Sequence, residues 1–552
     1  MNIAELLVKC LENEGVSYVF GLPGEENLEL LHAIKKSSHV DLVVTRDERG
    51  ASFMAAAWGR LSGKPGVCLS TLGPGAINML LGVGDAFLDF APLVAITAQK
   101  NLSETFKEAH QYVDIFSIYK PVTKWGASIG GKNVPEIVRK AFRVAQTEKP
   151  GPTHLELPED VAGADAGTQR PMAPAPILYP EPPEDAVRTA IGMIEEAQNP
   201  IVIAGGGVIR AGASRELQKF VRKFGIPLAT TFMAMGAVPY NEELFISTVG
   251  LQHKDYISCG LQKADLIITV GYDPVEFSPR YWRQRNSAEK AVIHVSSTPA
   301  ETDAAYQSFE LVGDIRRTLS KLVKEKIKIK TEKGPRPIGS SFFTRLREME
   351  RKGMPLAASG WPVKPVRLVS EMRKALGRKD VLISDVGAHK VWIARFYEAM
   401  SPGTVLISNG LASMGFAIPS AIAAKMLCPE RKVIAAVGDG GFLMSLSELE
   451  TASRLGLSFT IVIWNDGGYG LISWKERARY GEEFFTGFSN PDFIKLAESF
   501  NAKAYRVEKE SELGPILRDA LETKGISVVD CPVDYGENMK LSGMLGEIIC
   551  PT

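Results

Sequence analysis

Short apolar, β-branched runs alternate with amphipathic helical segments along nearly the whole chain, in three successive sets. Residues 41–45 (DLVVT), 66–70 (GVCLS) and 93–97 (LVAIT) form the first set. Residues 200–204 (PIVIA), 265–270 (DLIITV) and 291–295 (AVIHV) form the second, and 381–384, 433–437 and 459–464 the third. A run that is apolar at successive positions suits a strand covered on both faces, and intervening helices supply the crossovers that parallel strands need. The pattern therefore predicts an α/β protein of three parallel-sheet domains. Two aperiodic stretches separate the sets: the Ala/Pro-rich 161–184, and 326–365 with its Lys333-Gly334-Pro335-Arg336-Pro337. Cutting there places the domains at 1–165, 185–325 and 360–540.

Charge narrows the function. Among 552 residues, 64 Lys and Arg balance 64 Asp and Glu. Binding to nucleic acid or to an anionic membrane draws on a basic surplus, which is missing here. No apolar run reaches the roughly 20 residues of a membrane-spanning helix. The chain opens directly on amphipathic helix, with neither a basic segment nor a small-residue cleavage site, so no leader is expected and a cytoplasmic location follows. Cys10, Cys68, Cys259, Cys428, Cys531 and Cys550 stand singly without a CxxC pair, the pattern of free thiols in a reducing compartment.

The chemistry concentrates in the third set. The run 433–437 ends on Gly438-Asp439-Gly440-Gly441. A helical segment at 445–455 follows, and the run 459–464 ends on Asn465-Asp466-Gly467-Gly468-Tyr469. Gly-Asp-Gly alone reads as a strand-ending turn. A second carboxylate at the end of the next strand changes the balance, because parallel sheets bind ligands at that edge. Two carboxylates there suit Mg²⁺, which takes one or two protein carboxylates and completes its octahedron with phosphate oxygens and water.

Gly-Asp-Gly followed at this spacing by Asn-Asp resembles the metal-diphosphate motif of thiamine-diphosphate enzymes. The resemblance is closest to the acetolactate (acetohydroxyacid) synthase and pyruvate oxidase group. It runs from Phe20-Gly21-Leu22-Pro23-Gly24 to Asp530-Cys531-Pro532-Val533-Asp534-Tyr535. It implies the pyruvate-oxidase-like order of pyrimidine-binding, central and diphosphate-binding domains. By resemblance Asp439 and Asp466 bind Mg²⁺ with the carbonyl of Gly468. Asp466 stands where the family more often has Asn, as in the catabolic synthases. The implied cofactor contacts are Gly24, the turn Val386-Gly387-Ala388-His389, Ala412, Ser413 and Met414, Gly438 to Gly441, and Tyr469, Gly470 and Leu471.

Glu48 follows the first-domain run 41–45, at the start of a small-residue helix. By itself it reads as a solvated helix-start acid. The resemblance makes it the acid that shares a proton with a pyrimidine ring nitrogen of the cofactor. Met414, in Gly410-Leu411-Ala412-Ser413-Met414-Gly415-Phe416, takes the place of the apolar wedge that bends the cofactor; by itself it reads as core filler. Gln111 resembles a glutamine lining the same pocket. Because Glu48 and Asp439 fall in different domains, the resemblance implies a homodimer or homotetramer whose sites are shared between chains.

In the central domain Ala204-Gly205-Gly206-Gly207 ends a strand without forming a GxGxxG fingerprint. The Arg-Phe-Asp-Asp-Arg segment of the flavin-containing synthases is replaced by Val270-Gly271-Tyr272-Asp273-Pro274-Val275-Glu276-Phe277, so FAD is expected to be absent. The implied reaction joins pyruvate, after loss of CO₂, to a second 2-oxoacid, giving 2-acetolactate. Another thiamine-dependent decarboxylase, oxidase or acyltransferase is the alternative. Acceptor preference stays open, because ungapped reading puts Lys475 where anabolic synthases carry Trp, with Trp474 one place before it.

Overall fold

A computed structural model describes residues 1–105, 107–250, 263–282, 290–300, 308–326 and 359–539, with positions 257, 261, 348 and 541. Cys259, Cys550 and most of the 326–365 stretch lie outside the described residues.

Three six-stranded sheets follow one another along the chain, all with parallel neighbours. The first contains β1 (Tyr18–Gly21), β2 (Asp41–Val44), β3 (Gly66–Ser70), β4 (Leu93–Gln99), β5 (Trp125–Ser128) and β6 (Pro152–Pro158). The second contains β7 (Pro200–Ala204), β8 (Leu228–Thr230), β9 (Phe245–Thr248), β10 (Leu266–Val270), β11 (Ala291–Ser296) and β12 (Phe309–Val312). The third contains β13 (Val381–Ser384), β14 (Val405–Ile407), β15 (Val433–Gly438), β16 (Phe459–Asn465), β17 (Lys503–Arg506) and β18 (Ile526–Pro532). Their orders are β2-β1-β3-β4-β6-β5, β12-β11-β10-β7-β8-β9 and β14-β13-β15-β16-β18-β17. The first and third sheets thus share one topology. The second has the 3-2-1-4-5-6 order of doubly wound nucleotide-binding sheets, with its switch between β7 and β10.

The central strands β3, β4, β7, β10 and β13 are buried at every position, which is why their sequences carry no polar alternation. The first and third domains also share a core. Helix Glu48–Ser62 packs between helices Gly73–Leu88 and Ala417–Leu427 through small residues. A Cβ on Gly82 would lie 2.2 Å from Ser52 Oγ, so glycine is what lets the first pair approach. Phe53 and Phe416 meet edge to face at 5.8 Å across the domain junction; truncating such a buried ring costs about 3–5 kcal/mol.

The Pro-rich stretch 171–183 has no helix or strand, yet it is laced to the surface. The Tyr179 hydroxyl accepts the N–H of Glu148 at 2.8 Å, and the Pro180 carbonyl accepts that of Asp314 at 2.8 Å.

Candidate active site

β15 and β16 lie side by side, pairing Gly438 with Trp464, so Asp439 and Asp466 emerge together at the carboxyl edge of the third sheet. Asp439 does not sit in a turn. It opens a helix, Asp439–Ser445, capped by Gly438; a second helix, Glu448–Arg454, follows. The single segment expected at 445–455 is thus two short helices broken at 446–447. Asp439 is 1% exposed. Its Oδ1 accepts the Gly440 N–H at 2.8 Å, and its Oδ2 accepts from Gly467 N at 2.7 Å and Asn490 Nδ2 at 2.8 Å. Gly467 makes the return contact by adopting φ 71°.

Asp466 is crowded by protein and faces the charge of Asp439, and these push its carboxyl up to about 8, although part of its surface is open to solvent in the single chain. A Cβ on Gly470 would lie 2.4 Å from Asp466 Oδ2, so this glycine makes room for the acid. Two acids held together in this way form a site that a cation would relieve. Among the described residues no three His, Cys, Asp or Glu side chains converge as a metal cage. A cation here would draw its remaining ligands from main chain, water or phosphate, as Mg²⁺ does.

Met414 and Tyr469 close over the same motif. A Cβ on Gly440 would lie 2.9 Å from the Tyr469 ring and 3.5 Å from Met414 Cε. Tyr469 packs edge to face on Phe488 at 5.0 Å, and its N–H is held by Thr486 at 2.9 Å. Next to this cleft is a cavity of about 450 Å³ bordered by Asp466, Gly468, Gly470, Trp474, Thr486 and Tyr535. Trp474 is buried at its wall and Lys475 is exposed outside it. Leu471 is half-buried against the core of the third domain.

Asp385, just past β13, organises the floor. It is fully buried and accepts N–H groups from Val386 at 2.7 Å and Gly415 at 3.0 Å. Burial pushes its carboxyl up to about 6, which those N–H groups partly offset. A Cβ on Gly441 would lie 3.2 Å from Asp385 Oδ2. One carboxylate thereby ties the turn 386–389 to the Met414 loop and lies against the start of helix Asp439–Ser445. Gly387 precedes helix Ala388–Phe396, and the His389 ring packs 5.9 Å from Trp464. Burial pushes His389 down to about 3, so it is neutral near pH 7.

The first domain builds a second cradle. Glu48 starts its helix after the N-cap Asp47 and is half-buried. Its Oε2 accepts from Asn78 Nδ2 at 2.8 Å, and a Cβ on Gly75 would lie 2.9 Å from its Oε1. Gly24 abuts Thr71, where a Cβ would lie 2.4 Å from Thr71 Cβ, and Thr71 in turn donates to Glu26 at 2.8 Å. Gln111, at φ 60°, lays its carbonyl against Gly73. Gly24, Glu48 and Gln111 therefore gather around residues 71–78. Glu25 is exposed.

Family models for the three domains of thiamine pyrophosphate enzymes match in order. The N-terminal TPP binding domain covers residues 1–118, the central domain 187–322 and the C-terminal TPP binding domain 385–531. The acetolactate synthase of Bacillus subtilis (strain 168) is 34% identical over 543 residues, covering 98% of this chain and 94% of that protein. The chain belongs to the acetolactate synthase family. A catabolic acetolactate synthase from Raoultella terrigena is 35% identical over 549 residues, 98% of this chain and 97% of that one. A probable acetolactate synthase large subunit from Methanocaldococcus jannaschii is 32% identical over 575 aligned positions, 100% and 95% of the two chains.

The start of helix Glu48–Ser62 meets Met414 and Gly415 across a crevice of only about 10 Å³, and Glu48 does not border the 450 Å³ cavity. Sequence reasoning missed Asp385, Asn490, Asn78 and Thr71. Asp385 carried the one available signal, since it directly precedes the turn Val386-Gly387-Ala388-His389.

Proposed function

We propose that the chain is a thiamine-diphosphate-dependent acetolactate synthase, with residues 1–165 as its pyrimidine-binding domain, 185–325 as its central domain and 360–540 as its diphosphate-binding domain. The observation that carries this reading is the pairing of Asp439 with Asp466 at adjacent strand ends, under Met414 and Tyr469. The two carboxylates and the Gly468 carbonyl suit Mg²⁺, which takes its remaining ligands from phosphate oxygens and water. When bound, thiamine diphosphate supplies the nucleophile that adds to a 2-oxoacid carbonyl and the electron sink that lets CO₂ leave. Glu48, fixed by Asn78, holds the proton exchanged with a ring nitrogen of that group. Gln111 and Gly24 line the approach. Met414 and Leu471 keep it apolar, which favours loss of a carboxylate's charge.

Glu48 does not border the Asp466 cavity of its own chain, which supports an assembly in which Glu48 of one copy faces Asp439 of another. Apolar side chains on the elements carrying the site support it further: Ile77 is 50% exposed, Leu411 40%, Met444 40% and Ile472 48%. Either a homodimer or a homotetramer satisfies this geometry.

In the central domain the Gly205–Gly207 turn sits at the sheet's switch point, where a dinucleotide would bind. Its donors are already engaged. The Gly206 N–H points at both oxygens of Glu276 (3.1 and 3.0 Å), and the Thr231 hydroxyl donates to the same carboxylate at 2.6 Å. A buried carboxylate in the place of a pyrophosphate does not fit FAD. We expect the purified protein to be colourless and to stay so after incubation with excess FAD and desalting; a retained flavin spectrum overturns this.

The function is tested by incubation with pyruvate, Mg²⁺ and thiamine diphosphate. The expected products are acetolactate and CO₂. Acetaldehyde or acetyl phosphate as the main product would assign a different thiamine enzyme.

A further inference from the structure

The loop that carries Met414 is held from another domain. Asp85 and Asp89 lie at the end of helix Gly73–Leu88 in the first domain, and both are buried. The Ser408 hydroxyl donates to Asp85 Oδ1 at 2.5 Å and accepts the Ser413 N–H at 3.0 Å. Asp89 accepts the N–H groups of Asn409 at 3.1 Å and Gly410 at 2.6 Å. From the third domain's own helix, Lys390 Nζ donates to the Ser408 carbonyl at 2.8 Å. Arg60, from the helix packed alongside, pairs with Asp89 at 3.1 Å and donates to the Ile407 carbonyl at 2.9 Å.

This clamp acts where the backbone is strained. Ala412 has φ 56°, a left-handed conformation that a residue with a Cβ keeps only when its surroundings enforce it. The next N–H along the chain, that of Ser413, is the one Ser408 accepts. The next side chain is Met414, whose tip approaches Gly440. A relay therefore runs from Asp85 through the Ser408 hydroxyl to the Ser413 amide and the Met414 side chain. The same helix touches the other half of the site. Asn78, which binds Glu48, stands seven residues before Asp85, two turns away on the same face and about 10 Å along the axis.

We propose that Asp85 is a positioning residue for the reaction, setting the Met414 loop through the Ser408 hydroxyl. The proposal rests on the reading that Met414 lies against the bound cofactor. Asp85 itself touches neither Met414 nor any group assigned to the cofactor. Its part is to keep the Ser408 hydroxyl oriented so that its oxygen accepts from Ser413. Without that acceptor Ala412 is free to relax and Met414 moves away from Gly440. A shift of about 1 Å suffices, because misplacement of that size can cost about 100-fold in rate.

The test compares Asp85→Leu, Asp85→Asn, Ser408→Ala and the Asp85→Leu/Ser408→Ala double variant in the full-length protein. In the cofactor-free protein, amide hydrogen exchange over residues 405–416 should rise at least about 10-fold in Asp85→Leu and Ser408→Ala. With cofactor, kcat should fall about 10- to 100-fold, while the pyruvate KM and the thiamine diphosphate Kd stay within about twofold. Asp85→Asn keeps an acceptor oxygen for Ser408 and should restore both readouts. The double variant should be no worse than either single variant, because all of them break one relay.

Unchanged exchange and kcat in Ser408→Ala would overturn the proposal, as would additive losses in the double variant. Loss of kcat in Asp85→Asn would overturn it too, by assigning the role to charge facing Lys390 and Arg60. Ser408→Ala decides the matter if Asp85→Leu does not fold. A wild-type protein that binds no thiamine diphosphate would refute the cofactor reading, and the exchange measurement would still decide the clamp.

Discussion

Glu48→Gln is expected to lower acetolactate formation by about 10²–10⁴-fold, the range that a positioned proton-transfer group contributes. Glutamine occupies the same volume and still offers Asn78 an acceptor, so the start of helix Glu48–Ser62 keeps its shape. Only the ability to hold and release a proton is removed. Cofactor affinity, measured by calorimetry, should therefore stay within a few-fold of wild type while the rate collapses. Gly75 is the control from the other side. A Cβ there would stand 2.9 Å from Glu48 Oε1, so an alanine would shift the acid while leaving its chemistry intact. An unchanged rate in Glu48→Gln would remove the acid from the mechanism, and a lost cofactor affinity would make it a binding residue instead.

Sequence alone revealed the strands that are continuous apolar runs, the edge strand β2 among them, and missed buried strands whose sequences are broken by polar residues, such as β6 and β18. β3, β4, β7, β10, β13, β15 and β16 read as apolar runs because helices cover them above and below. The edge strands β5 and β17 carry no such mark. β5 (WGAS) and β17 (KAYR) are half-buried or exposed, and their residues are ordinary for loops. Their place is fixed by pairing with β6 and β18. The same distinction holds in the site. Gly438-Asp439-Gly440 and Asn465-Asp466-Gly467 were legible because each motif is contiguous and ends a legible strand. Asn490 was not, since it reaches Asp439 across 51 residues from a loop whose sequence gives no hint of it. Asp385 looked like a strand end and proved to be a buried acceptor for its own neighbour Val386 and for Gly415, thirty residues on. Lys475 and Trp474 could not be told apart by alignment. Helix phase separates them, turning Trp474 into the cavity wall and Lys475 to solvent.

The acid pair makes a prediction whose two halves have opposite signs. In Asp439→Asn the side-chain oxygen can still accept from Gly467 and Asn490, so the local fold survives while one carboxylate charge is lost. Changing groups that merely support a metal ligand costs about 10- to 100-fold in metal affinity, so removing a carboxylate ligand should cost at least about 100-fold. Mg²⁺-dependent binding of thiamine diphosphate, followed by calorimetry, should fall accordingly. Asp466→Asn should weaken Mg²⁺ binding as well. In metal-free protein it should do something a purely structural residue would not, which is to raise the melting temperature. The reason is that Asp466 is crowded by protein and set against the like charge of Asp439, an arrangement that costs stability until a cation neutralises it. Thermal unfolding with and without Mg²⁺ separates the two effects. The variant should be the more stable protein without the metal and should gain less from adding it. A variant that is destabilised in both conditions would show that Asp466 serves the fold and not the ion, and the metal site would then rest on Asp439 alone.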